Sequence, residues 1–148
     1  MKRSLATTLA ALFLLASPAN AATFSQQSSW SCSTQGAYQS GQIWVGSLDP
    51  GSVTVSHEFE ACNLPGEGFH AYLQVNAKDA KNVTLAVTAP DGHAVAPVAA
   101  SKGTGGDYFL TACELGQVGT YTVTVTTTKA VQTAGLVVLS GSLLSPCP

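Results

Sequence analysis

"GTYTVTV", residues 119–125, is the stretch whose pattern decides the fold. Tyr121, Val123 and Val125 alternate with Thr120, Thr122 and Thr124, and every one is β-branched or aromatic. Side chains two apart share one face of an extended strand, and residues of this kind fit a pleated, half-buried surface. The same period recurs upstream. Val53, Val55, Phe59 and Ala61 oppose Thr54, Ser56, Glu58 and Glu60, and Phe69, Ala71, Leu73, Val75 and Ala77 oppose His70, Tyr72, Gln74 and Asn76. Val83, Leu85, Val87 and Ala89 make a third such face. Shorter strands are predicted at Gln42 to Gly46, His93 to Val98 and Tyr108 to Cys113. Leu136 to Leu139 is continuously apolar, which predicts a central strand.

Turn residues separate these segments: Asp49-Pro50-Gly51, Asn63 to Gly68, Asp79 to Asn82, Pro90-Asp91-Gly92 and Lys102 to Asp107. No sustained helical period occurs beyond the N-terminal leader. Short strands divided by Gly/Pro turns predict an all-β, antiparallel β-sandwich, jelly-roll-like or Ig-like, with seven to nine strands. "AGLVVLSGSLL", residues 134–144, is too short to cross a bilayer as a helix and is predicted to be a buried strand.

Residues 1–21 read as a signal peptide: Lys2 and Arg3, an apolar run from Leu9 to Ala16, then Pro18-Ala19-Asn20-Ala21 as a small-residue cleavage site. The expected destination is secreted or periplasmic. Residues 22–41 are polar, rich in Ser and Gln and without period, and are expected to form an extended N-terminal arm; residues 42–148 form the β-sandwich domain. Beyond the leader, Lys78, Lys81, Lys102 and Lys129 stand against eight acids, a formal charge of −4 with no arginine. Arginine forks and basic patches dominate phosphate recognition, so nucleic acid is a poor partner, and no membrane insertion is expected once the signal is removed.

Cys32, Cys62, Cys113 and Cys147 all follow the leader, and an even count in an oxidising compartment predicts two disulfides. No Cys-x-x-Cys pair supports zinc. Of the three connectivities, Cys62 with Cys113 and Cys32 with Cys147 is preferred, since a sandwich often brings its terminal segments together.

The order Gly51-Ser52-Val53-Thr54-Val55, Asn82-Val83-Thr84-Leu85, Ala89-Pro90-Asp91-Gly92 and Gly119 to Val125 resembles bacterial pre-peptidase C-terminal (PPC) domains and the related P-domains of convertases. The resemblance covers roughly residues 50 to 141 and implies a jelly-roll-like sandwich that accompanies secreted proteases and binds rather than catalyses. Asn82 stands where that family pattern expects an acid.

The residues raise three possible chemistries. A Ser-His-acid hydrolase lacks a Gly-x-Ser-x-Gly elbow; His57 falls on an apolar face, as packed histidines do, and His70 is expected to be exposed. A metal site at Asp91, His93 and Asp107 offers too few ligands for calcium or zinc, and Pro90-Asp91-Gly92 is first of all a turn, so no metal or other cofactor is expected. A third polar group reaching Asp91 and His93 is the condition under which that corner does more than reverse the chain. The third is an outward aromatic surface of Trp44, Tyr72 and Tyr108, with Trp44 outward if Ile43 and Val45 point inward. Its alternative packs Trp44 beneath the arm with Trp30. The expectation is a non-catalytic accessory domain recognising a protein or a carbohydrate; the alternative is a small secreted hydrolase or hydrolase inhibitor.

Overall fold

The computed structural model describes residues 24–32, 38–59 and 68–141. Residues 1–21, expected to be a signal peptide, and Cys62, Cys147, Ala61, the segment expected as the turn after it and the last seven residues lie outside the described residues. Among those described, ten strands run in order: β1 (Ser25–Trp30), β2 (Tyr38–Leu48), β3 (Gly51–Phe59), β4 (Gly68–Asn76), β5 (Val83–Thr88), β6 (Ala94–Val95), β7 (Pro97–Lys102), β8 (Asp107–Leu115), β9 (Gly119–Thr127) and β10 (Val131–Gly141).

They form two antiparallel sheets, one in the order β1-β2-β10-β4-β8-β7 and one in the order β3-β9-β5-β6. The chain is an all-β sandwich, as the alternation predicts. The described residues hold ten strands rather than seven to nine, for two reasons. Part of the polar arm, Ser25–Trp30, pairs along β2 as an edge strand, and the segment after His93 divides into β6 and β7 in different sheets. β10 lies between β2 and β4, the central place its apolar run predicts.

Val83, Leu85, Val87, Val123 and Val125 from the small sheet face Phe69, Ala71, Leu73, Val75, Leu136 and Val138 from the large one, all buried. Tyr121 on β9 stacks on Phe69 of β4, ring centroids 3.8 Å apart, so an aromatic pair joins the sheets at the centre. On the solvent face of the small sheet, Ser52 meets Thr126 at 2.8 Å, Thr54 meets Thr124 at 3.1 Å, and the Thr120 hydroxyl donates to Glu58 at 2.6 Å. These polar cross-strand pairs hold the register that buries the opposite face.

The edge strand is fixed by a close approach. Trp30 is the register partner of Gly41, and a β-carbon at Gly41 would lie 2.4 Å from the indole. The missing side chain lets the ring lie on the sheet.

Candidate functional site

The Pro90-Asp91-Gly92 corner closes by backbone bonds from Gly92 N–H to the Ala89 carbonyl and from Ala89 N–H to the His93 carbonyl, both 2.9 Å, with Gly92 at φ +90°. Asp91 accepts the His93 amide at 3.1 Å, an Asx-type turn. The His93 ring bridges two acids: Nδ1 bonds Asp91 Oδ1, and Nε2 donates to Glu114 Oε2 at 2.6 Å. The other Glu114 oxygen accepts the Tyr121 hydroxyl at 2.7 Å, and that hydroxyl in turn accepts the Gln117 amide at 2.9 Å.

A carboxylate can only accept, so an imidazole between two of them is held as the doubly protonated cation. Hydrogen bonds to Glu114 and then Asp91 raise the His93 pKa above its ordinary value of 6.5, and the bonds from His93 hold Asp91 below its ordinary 3.8. With both nitrogens occupied, His93 has no lone pair for proton abstraction or for a metal. The corner is a latch between the small sheet and β8 of the large one.

Asp107 is not part of it. It opens β8 and accepts a bond from Gln74 Nε2 at 2.8 Å, so the grouping of Asp91, His93 and Asp107 is corrected to Asp91, His93 and Glu114. Among the described residues no group of three or more His, Cys, Asp or Glu could hold a metal ion.

The aromatic surface is also corrected. Trp44 is 7% exposed and belongs to the core, whereas Val45 is 41% exposed. The phase of β2 is set by Leu48 and by pairing with the fully buried Leu136, not by Ile43 and Val45. Tyr108 packs half-buried against the core, and Tyr72, on the opposite face of the large sheet, stacks on His70 with its hydroxyl 3.0 Å from Nδ1. The three rings therefore do not share one surface. His70, expected to be exposed, is only 5% exposed, and burial lowers its pKa. Its strand is flanked on both sides, and the Tyr72 ring covers it.

A second constellation lies at the open margin of the sandwich, between β1 and β2 of one sheet and β3 of the other. Gln42, Ser40, Ser29, Ser31, His57 and Glu58 line a cleft of about 360 Å³. His57, on the apolar face as its alternation predicts, is buried; its Nδ1–H donates to Gln42 Oε1 at 2.9 Å, and its Nε2 accepts the Ser140 hydroxyl at 3.0 Å. Burial pushes its pKa down to about 4, which keeps the ring neutral at pH 7, and the Gln42 carbonyl oxygen, which can only accept, selects the Nδ1–H tautomer. The serine and histidine are placed as in a hydrolase, but the third group is an amide rather than a carboxylate. Ser140, next to the end of β10, is completely buried. Ser40 and Gln42, missed in the sequence, share the inner face of β2 with Trp44, and their period-two spacing from it was the available signal.

Cys32 and Cys113 are both disulfide-bonded, and no described cysteine is a free thiol. Cys62 and Cys147 lie outside the described residues, so the pairing is not shown. No described helix is long and apolar enough to cross a membrane. No protein-family model matches this chain, and a search of curated proteins finds no significant match.

Proposed function

We propose that this protein is an exported, non-catalytic binding domain that recognises a protein or carbohydrate ligand in the periplasm or outside the cell. The observation that carries the proposal is the polar cleft between β1, β2 and β3, which opens at the sandwich margin and is walled by both sheets. Concave sites with a few convergent polar groups are the usual form of a ligand site. The leader-like residues 1–21, the even cysteine count and the PPC-like order of sequence segments support export and an accessory role. The absence of arginine beyond the leader and the formal charge of −4 argue against a nucleic-acid partner.

Hydrolysis is the second reading, favoured by the contact between Ser140 and His57. It ranks lower because a nucleophile must reach substrate, and Ser140 has no exposed surface. The test takes the full chain, exported from its own leader and purified. Saturable binding to a glycan or peptide library without turnover of ester and peptide substrates supports the binding role. Turnover lost in Ser140→Ala would replace it with a hydrolase.

A further inference from the structure

Ser40 on β2 and Ser140 on β10 are register partners, and both are buried. The Ser140 hydroxyl is bonded to His57, but the Ser40 hydroxyl, on a residue only 2% exposed, has no hydrogen-bond partner. A buried polar group left unsatisfied costs about 1–3 kcal/mol, and native proteins keep few of them. Ser40 lines the margin cleft, so its missing partner would come from whatever fills that space.

The lining limits what that is. It is Trp30, three serines, one glutamine, a neutral histidine and Glu58, without a cationic side chain among the described residues. An anion would find no countercharge and would lie near Glu58. A cation would meet one carboxylate, already engaged by Thr120. Hydroxyl and amide groups both donate and accept, which matches a ligand whose own groups do the same. The volume, about 360 Å³, is within the small-ligand range.

We propose that this cleft binds a neutral saccharide, one of whose hydroxyl groups becomes the hydrogen-bond partner of Ser40. This rests on the binding role above and names its ligand class.

The test is an NMR titration of the ¹⁵N-labelled full chain, exported and purified, with glucose, galactose, mannose, N-acetylglucosamine, maltose and cellobiose. Glucuronic acid and glucose 6-phosphate serve as anionic controls, and a random peptide library is run in parallel. The expected result is saturable shifts of the Ser29, Ser40, Gln42 and His57 amides with at least one neutral sugar and none with the anions. Ser40→Ala should weaken that sugar roughly tenfold, the loss of one hydrogen bond. Its thermal midpoint should stay level or rise, because the hydroxyl removed had no partner. Ser29→Trp, at the mouth on the edge strand, should abolish binding.

Neutral sugars that leave these amides unmoved, or that bind Ser40→Ala as well as the parent, would overturn the proposal; the second result would assign the hydroxyl to an ordered water. Peptide binding lost in Ser29→Trp, with the sugars silent, overturns the saccharide while the binding role stands. A cleft that responds to neither sugars nor peptides overturns both.

Discussion

His93 Nε2 lies 2.6 Å from Glu114 Oε2, and that bond ties the corner between β5 and β6 to β8 of the opposite sheet. The second ring nitrogen is held by Asp91, so the imidazolium is the middle member of a charged row of three. The stability it contributes depends on its proton. A histidine whose folded pKa is raised contributes fully below its unfolded value of 6.5 and loses that contribution as pH rises through the folded value. Asp91, held low, contributes above its unfolded 3.8 and loses its part as pH falls through its folded value. His93→Gln should therefore lower the urea midpoint most between about pH 4 and 6.5, with the deficit shrinking in alkali. A deficit that is equal at pH 5 and pH 9 would show that charge has no part in the latch.

The buried histidine has the opposite sign. His57 is depressed to about 4, so between pH 6.5 and 4 the unfolded chain takes up a proton that the folded chain refuses. Stability should fall across that interval by on the order of 3 kcal/mol, one pKa unit being worth about 1.4. His70, also lowered, adds in the same direction. Thermal unfolding in a pH series measures the sum, and the His57 ring proton shift should titrate near 4; a midpoint near 6.5 would refute its burial in the neutral form.

Tyr121 carries both an aromatic and a polar load. Its ring stacks on Phe69, and its hydroxyl satisfies Glu114 and the Gln117 amide. Tyr121→Phe should keep the fold and cost about 1–3 kcal/mol, through the acceptor and donor left unsatisfied. Tyr121→Ala should cost about 3–5 kcal/mol, the range for emptying an aromatic core position. Equal losses in chemical denaturation would mean that the ring contributes nothing.

Gly41 is a test of the edge strand. A methyl group there meets the Trp30 indole at 2.4 Å and Leu139 Cδ2 at 2.9 Å. Gly41→Ala should displace the indole and cost about 1–3 kcal/mol, the usual range for overpacking. Trp30→Phe is the control that separates the two tryptophans in fluorescence. An unchanged spectrum in Gly41→Ala would show that the ring is not seated there.

For the crosslinks, peptide mapping without reductant should return Cys62 with Cys113 and Cys32 with Cys147. Reduction should lower stability by about 2–5 kcal/mol. Recovery of Cys32 with Cys62 would replace this connectivity, leaving Cys113 for Cys147.

Strands, their inward faces and most of the core were legible because the backbone itself imposes a period of two. Tyr121, Val123 and Val125 are buried and Thr120 is exposed, as "GTYTVTV" requires. His57 on its apolar face, Gly92 at positive φ and the central place of β10 follow from equally local signals. Where three apolar residues stand in a row, as at Ile43, Trp44 and Val45, period two has no preferred phase, and the pairing of Trp44 with Leu136 decided it.

The candidate sites were legible only as single residues. The sequence supplied an acid and a histidine at a turn; the fold supplied Glu114, 21 residues from His93 and in the other sheet. It brought Ser140 to His57 across 83 residues, and left the Ser40 hydroxyl beside them without a partner. Alternation determines which way a side chain points from its own strand. What it meets there depends on the order and register of strands distant in the chain, which is set by the packing of both sheets together.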